Sequence, residues 1–547
     1  MTIKQACIPL AGALLMLLAA CNPAPTYVKP PAVAPAAYKE VPPEFKEGTG
    51  WKLAQPGDDK LPMKWWEMYN DPQLNALEEQ VKISNFTIAA AEANYRAAQA
   101  VAMAARAGLY PTVGGSTSYT NSRSSSTSRA ATTAVTSGGS TTGTTTTGTT
   151  STTGTTTTTT GTTGVINNFS LPFSISYTTD FWHKIRNTIA ADVFTAQANA
   201  ADIATALLST QTTLAGDYFE LRAVDAQRQV LQDTLANYQQ GLDLTTTLYK
   251  TGIDSEQDVT QAQTQYDTAT AQLTDLGVAR AQYEHAIATL IGKPASGFSI
   301  PPGSFNPNPP GVPVALPSTL LERRPDIAAL ERQVASENAL IGVARAAYYP
   351  NLTLSASGGL QSSSFTKWFT WPSRFWSLGP SLSETLFDGG QRRALTAEAE
   401  ANYDAAVANY RETVLTSFQA VEDQLSASRI LGQEVVQQQT AVKSSQHYLD
   451  LALIRYKTGV DSYLNVITAQ TSVLTNRESE VQIQLRQMTA SVQLILALGG
   501  GWDTSQLPQT KDVMKLPATW TPNAGPVANA VGAGTSMNPP PLKPPAQ

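Results

Sequence analysis

Two stretches decide how this chain is read: Leu248–Ala269, LYKTGIDSEQDVTQAQTQYDTA, and Arg455–Leu474, RYKTGVDSYLNVITAQTSVL. Tyr249, Lys250, Thr251, Gly252 and Asp254 have identical counterparts in Tyr456, Lys457, Thr458, Gly459 and Asp461, at a constant offset of 207. In each copy a Thr-Gly pair supplies the residue that tolerates positive φ at a helix end. Asp254-Ser255 and Asp461-Ser462 then offer side-chain oxygens that start the next helix. Each YKTG therefore reads as the turn of a helical hairpin.

The flanks support long arms. No proline occurs from Phe173 to Lys293 or from Ser381 to Leu507, and both stretches are rich in Ala, Gln, Leu and Glu. Steps of seven from Leu207 meet Leu214, Leu221, Arg228, Leu235, Leu242 and Tyr249, with Val224, Leu231 and Tyr238 on the adjacent position, a coiled-coil-like seam. A helix from about His183 to Lys250 would be roughly 100 Å long at 1.5 Å per residue. Arms of that length belong to an elongated bundle or tube.

The duplication reaches further than the turns. Asn85–Pro111 aligns with Arg324–Pro350 at an offset of 239, pairing Ile88 with Ile327, Glu92 with Glu331, Arg106 with Arg345 and Tyr110-Pro111 with Tyr349-Pro350. The two offsets differ by 239 − 207 = 32, so the first copy carries 32 extra residues before its hairpin. Their home is the Thr/Gly/Ser tract from about Ser116 to Gly164, whose composition lacks the apolar side chains for a core.

Around these insertions the period changes to two. Phe169, Leu171, Phe173, Ile175 and Tyr177 alternate with Ser170, Pro172, Ser174 and Ser176. Residues 351–360 and 374–387 repeat the alternation, and 110–120 gives a fourth, weaker candidate through the repeat. Segments of about ten residues, apolar on one side and small polar on the other, fit transmembrane barrel strands. A half-buried soluble sheet shares that pattern, but Phe365, Trp368, Phe369, Trp371, Phe375 and Trp376 gather beside one strand, with Trp182 and Phe387 at opposite strand ends, as interfacial girdles would. Four strands cannot close in lipid, so copies must associate, arithmetically as a dimer of eight or a trimer of twelve strands.

The N-terminus gives the compartment. MTIKQACIPLAGALLMLLAAC has one lysine, an apolar run from Ile8 to Leu18 and small residues before Cys21, which reads as a signal peptide. Its end resembles the lipobox of bacterial lipoproteins, which makes Cys21 the lipid-attachment residue and, with Asn22 following, favours the outer membrane. Of the two cysteines, Cys7 lies in the removed segment, leaving no disulfide framework. A net charge of −6 without a basic patch argues against nucleic acid. The histidines His183, His285 and His447 are dispersed, and no phosphate loop, metal-ligand spacing or nucleophile elbow occurs, so neither an enzyme nor a cofactor or metal site is expected.

The stretches WWEMYNDPQLNALEEQ, LLERRPDIAALERQVASENALIGVARAAYYPNLTLSASGG, LFDGGQRRA, RYKTGVDSYLNVITAQ and LILALGGGW together resemble TolC-type outer-membrane efflux factors, in the lipoprotein branch that includes OprM and the NodT group. The resemblance runs from about Trp65 to Trp502. It implies a mainly α protein with membrane β structure: a homotrimer with a 12-stranded barrel, four strands per chain, continued by a 12-helix periplasmic tunnel. A periplasmic membrane-fusion adaptor and an inner-membrane pump of the resistance-nodulation-division class would dock below. The expected layout is signal peptide 1–20, Pro/Ala-rich tether 21–62, first repeat 63–300, Pro-rich linker 301–317, second repeat 318–502 and a Pro-rich disordered tail 503–547.

The same resemblance assigns the adaptor-contacting tips to Thr251, Gly252, Ile253, Thr458, Gly459 and Val460, and a periplasmic gate to Asp258, Gln261, Leu464, Asn465 and Thr468. Where many relatives read LDAQ, this chain reads Ile467-Thr468-Ala469-Gln470, so gate charge would rest more on Asp258. The expected function is a gated conduit in the cell outer membrane exporting small molecules. The alternatives are a type I protein-secretion channel and a lipid-anchored periplasmic scaffold without a pore.

Overall fold

The computed structural model describes residues 22–31, 35, 38–40, 61–123, 165–312 and 321–515. In chain order its main elements are α1 (Pro72–Ser84), α2 (Phe86–Ala107), β1 (Thr112–Gly115), β2 (Ser118–Ser122), β3 (Ile166–Thr178), α3 (Lys184–Lys250) and α4 (Glu256–Leu290). The second half continues with α5 (Pro325–Ala346), β4 (Asn351–Ser362), β5 (Arg374–Ser383), α6 (Gln391–Lys457), α7 (Tyr463–Ala497) and a short α8 (Thr510–Val513). The chain forms two compact units: a sheet unit of residues 106–182 and 347–389, and a helical unit made from the rest of the described chain.

In the helical unit the duplication is metrical. Arms α3 and α6 have 67 residues each, and the returning arms α4 and α7 have 35 each. The long arms therefore run about 100 Å. Helices α2 and α5, both of 22 residues, occupy equivalent places at the offset of 239. Contacts join α4 to α3, α3 to α7 and α7 to α6, which sets the lateral order α4–α3–α7–α6. The inner pair buries residues all along its length: Ala191 to Thr245 in α3 and Tyr463 to Ala497 in α7. By contrast α4 buries only Ala262, Ala269, Ile287 and Ala288. Helices α4 and α6 are thus the two edges of an open layer.

The expected seam on α3 packs as far as Leu242, with Leu214, Leu221, Val224, Leu231 and Tyr238 buried. Its last member does not: Tyr249 is 45% exposed. The main core is broader than the seam and gathers Trp65, Trp66, Tyr69, Leu74, Tyr218, Tyr410, Met488 and Ile495. Inside it lies a buried ionic group, in which Asp225 accepts from Arg222 Nη1 at 3.0 Å, Arg280 Nε at 2.8 Å and the Gly303 N–H at 3.2 Å.

Three proline-rich segments, the last of them expected to be disordered from residue 503, pack on the helices. Residues 22–31 of the tether do not hang free: Asn187 Nδ2 donates to Asn22 Oδ1, Asn338 Nδ2 donates to the Pro25 carbonyl, and Tyr27 bonds Glu331. Further along the tether, Glu40 pairs with Arg429. The linker after Ile300 is pinned by Arg222 on the Pro301 carbonyl and by Asp225 on Gly303. The tail is structured to residue 515, where Val513 of α8 is buried with Ala102, Val193 and Ala196. Proline-rich chain cannot build a core, but it loses little entropy when it docks on helices that already have one.

The sheet unit is one antiparallel sheet in the order β1/β2–β3–β4–β5. The weak fourth candidate is two short segments, β1 and β2, both paired to β3. Cross-strand rows keep the two faces distinct. Val113, Ile175, Ala356 and Leu378 share one row, and Phe173, Gly358 and Trp376 another. On the opposite face Ser174, Ser357 and Ser377 line up, with Ser357 and Ser377 hydroxyls 2.9 Å apart. The apolar face has no cover among the described residues: Trp376 is 82% and Leu378 74% exposed. Aromatic groups mark both sheet ends, Tyr119, Phe169, Phe365 and Trp368 at one, and Trp182 stacked on Tyr349 at 4.5 Å at the other. No described helix is long and apolar enough to cross a membrane.

Candidate functional site: the paired hairpin ends

Both long arms end in the same way. Gly252 has φ +77°, its N–H reaches the Tyr249 carbonyl at 2.9 Å, and the Ile253 N–H reaches Leu248 at 2.9 Å. Gly459 has φ +72°, with Gly459 bonded to Tyr456 and Val460 to Arg455, each at 2.9 Å. These are Schellman ends, which satisfy the last helical carbonyls only if the residue at the bend accepts the left-handed conformation. Thr251 and Thr458 turn their hydroxyls back onto their own helices. Ile253 and Val460 are consequently thrust outward, 72% and 65% exposed. Two apolar side chains are thereby presented to solvent at the hairpin ends.

The returning helices start differently. At the first tip Ser255 caps α4: the Asp258 N–H donates to Ser255 Oγ at 3.3 Å, and the Asp258 carboxylate accepts the Ser255 hydroxyl at 2.7 Å. At the second, Ser462 makes no side-chain cap. There Asp461 accepts from Asn465 Nδ2, from the Ser462 N–H at 3.1 Å and from Arg455 Nε at 3.2 Å. The Asn465 amide, foremost among these donors, holds the Asp461 carboxyl below the usual carboxylate range.

The tips are tied together by a contact that the repeat alone does not reveal. Tyr456, at the end of α6, donates its hydroxyl to Asp254 in the turn of the other hairpin. Burial, reinforced by the carboxylate, pushes the Tyr456 hydroxyl pKa well up. Tyr463 packs against Tyr456 at 5.2 Å and reaches across to α3, where a Cβ on Gly241 would lie 2.6 Å from its hydroxyl. The signal for this pair was present as the repeated Tyr-x-x-Gly-x-Asp, but it does not say which Tyr meets which Asp.

The five gate candidates do not converge on one point. Gln261 and Leu464 line the same recess of about 440 Å³ between α4 and α7, together with Gln257, Thr260 and Ile467. Asp258 is engaged by Ser255, Asn465 by Asp461, and the Thr468 hydroxyl by the Leu464 carbonyl at 2.9 Å. Cys21 lies outside the described residues, and the chain is described from the next residue, Asn22. Among the described residues no group of three or more His, Cys, Asp or Glu could hold a metal ion.

Duplicated helical hairpins, together with a sheet that bares an aromatic-bounded apolar face, define the class of outer-membrane channel proteins. The chain belongs to the outer membrane efflux protein family, whose model matches residues 77–293 and 316–500. It is 30% identical over 510 residues to the solvent efflux pump outer membrane protein SrpC of Pseudomonas putida, covering 90% of this chain and 98% of that one. It is 28% identical over 492 residues to the pyoverdine export outer membrane protein OpmQ of Pseudomonas aeruginosa, covering 90% and 96%. Its fold matches the CmeC outer membrane channel of Campylobacter jejuni with a TM-score of 0.78 over 90% of this chain and 97% of that one, at 21% identity.

Proposed function

We propose that three copies of this chain close into a single conduit, a twelve-stranded barrel in the outer membrane continued by a twelve-helix periplasmic tunnel. The observation that carries this reading is the double openness of the single chain. Among the described residues its sheet ends in the unpaired edges β1/β2 and β5, and its helical layer ends in the underpacked edges α4 and α6. An open sheet edge is not sustained in lipid, so both sets of edges call for further copies.

In this assembly Thr251, Gly252, Ile253, Thr458, Gly459 and Val460 meet a periplasmic adaptor, which couples the conduit to an inner-membrane pump of the resistance-nodulation-division class. The exposed apolar Ile253 and Val460 support that role. Asp258, Gln261, Leu464, Asn465 and Thr468 lie at the narrow periplasmic end. The pump supplies the energy and the tunnel wall screens by charge and width. The names of SrpC and OpmQ, for solvent and pyoverdine export, support small-molecule cargo. Acylation of Cys21 anchors the chain to the outer-membrane lipid.

Mass photometry of the detergent-solubilised protein, followed by planar-bilayer recording, tests the conduit directly. Three copies per particle with a defined unitary conductance are expected, whereas a monomer that never conducts overturns the reading. Metabolic labelling with palmitate, present in the native chain and absent in Cys21→Ala, tests the anchor.

A further inference from the structure

The duplicated tips contain two tyrosines and two aspartates at equivalent places, yet within one chain only one tyrosine–aspartate pair forms. Tyr456, three residues before Gly459, is 6% exposed and bonded to Asp254 of the first hairpin. Its counterpart Tyr249, three residues before Gly252, is 45% exposed, and among the described residues its hydroxyl has no hydrogen bond. Asp461 is the counterpart of Asp254. Its Oδ1 already takes the Ser462 N–H and Asn465, but its Oδ2 takes a single donor, Arg455 Nε. A carboxylate oxygen accepts about two hydrogen bonds, so Oδ2 has room for one more.

The layer order says where the missing pair must lie. The offset of 207 maps α3 onto α6 and α4 onto α7. Applied to the contact between α3 and α7, it generates a contact between α6 and α4, the two outer helices of the layer. Near its tip the α6 edge bares Tyr448, Leu451 and Ile454, an apolar strip left exposed among the described residues. The occupant is fixed by the same operation: it is the first hairpin of a second copy.

We infer that Tyr249 of one copy donates its hydroxyl to Asp461 Oδ2 of the next, reproducing between copies the bond that Tyr456 and Asp254 make within each. This rests on the trimeric reading above. Each copy then holds its own hairpins together through Tyr456 and its neighbour through Tyr249.

The test uses the full-length protein in detergent after its particle mass has been measured. A variant combining Tyr249→Cys with Asp461→Cys is treated with a short bismaleimide and run on a denaturing gel. A second variant, Asp254→Cys with Tyr456→Cys, reports by peptide mapping that the reagent reaches the tips. Covalent species of two and three chains are expected from the first variant and from neither of its single substitutions. Their absence from a trimeric preparation whose second variant does react overturns the pairing and leaves the trimer standing. A monomeric preparation overturns the trimer and the pairing together.

The near-isosteric Tyr249→Phe and Asp461→Asn give an independent reading in case the cysteine variants fold poorly. Each is expected to raise amide exchange over residues 458–462 by roughly fivefold, the worth of one hydrogen bond, and the double variant by no more than either alone. Additive effects overturn the bond.

Discussion

The Asp258 carboxylate accepts the Ser255 hydroxyl at 2.7 Å while the Asp258 N–H returns to Ser255 Oγ at 3.3 Å, a reciprocal cap on the first returning helix. A residue proposed above for the narrow end of the conduit thus also fixes the start of α4. Charge and cap are separable by substitution. Asp258→Ala is expected to cost about 1 kcal/mol of local stability and to raise ionic leakage through the resting protein in a planar bilayer. Asp258→Asn, which keeps an acceptor for the hydroxyl, is expected to leak close to the native level. Equal leakage from both variants would assign the effect to charge, and native leakage from both would remove Asp258 from the gate.

The glycines divide into two kinds, which predicts unequal costs. At Gly252 a Cβ meets nothing within 4 Å, so Gly252→Ala faces only the left-handed backbone, about 1–2 kcal/mol. At Gly499, with φ +91°, a Cβ would fall 2.1 Å from the Arg323 carbonyl oxygen. Gly499→Ala is therefore expected to prevent accumulation of folded protein, while Gly252→Ala lowers the urea midpoint modestly. The comparison is read by denaturation of both variants side by side.

Glu78 is fully buried, and among the described residues neither carboxylate oxygen has a hydrogen-bond partner. Burial raises its carboxyl well above the ordinary range, so the folded protein keeps the proton that the unfolded chain releases. Stability is then greatest below the unfolded carboxyl value, near 4.3, and is lost as pH rises from there toward the folded value. Glu78→Leu is expected to remove this slope and to stabilise the protein near pH 7 by on the order of 1–3 kcal/mol. Urea midpoints of both proteins across pH 4 to 8 check it, and parallel curves would show that Glu78 titrates normally.

Asp225 serves three donors from three separate segments: Arg222 on α3, Arg280 on α4 and the Gly303 N–H in the linker. Asp225→Ala would leave the buried Arg222 guanidinium without a carboxylate and Arg280 with Glu284 alone. A loss of roughly 3–5 kcal/mol is expected, with proteolysis appearing first in the linker. A change under 1 kcal/mol would mean that water or Glu284 takes over.

Thr251-Gly252 and Thr458-Gly459 told where the long helices end, because positive φ at a helix end is a local steric demand that one residue type meets. Alternation over Phe169–Tyr177 told which side chains share a face of β3, because strand geometry has a period of two. The segment after Tyr110 was less legible. Gly114, Gly115 and Ser116 carry no strong pattern, and only pairing with β3 showed that it is broken into β1 and β2. The docking of residues 22–31 and the burial of Val513 were illegible for another reason: their partners, Glu331, Asn338 and Ala102 among them, lie hundreds of residues away in the chain.

By itself the sequence determined two copies of one unit, the helix ends, the strand faces and the family. The tertiary structure decided which of the repeated residues meet. Tyr456 reaches Asp254 while Tyr249 stays exposed, although the two tyrosines sit in identical tetrapeptides. A local motif fixes backbone conformation through sterics acting over a few residues. A hydrogen bond across 202 positions depends on which helices lie side by side, and here that is the order α4–α3–α7–α6 with both edges left open.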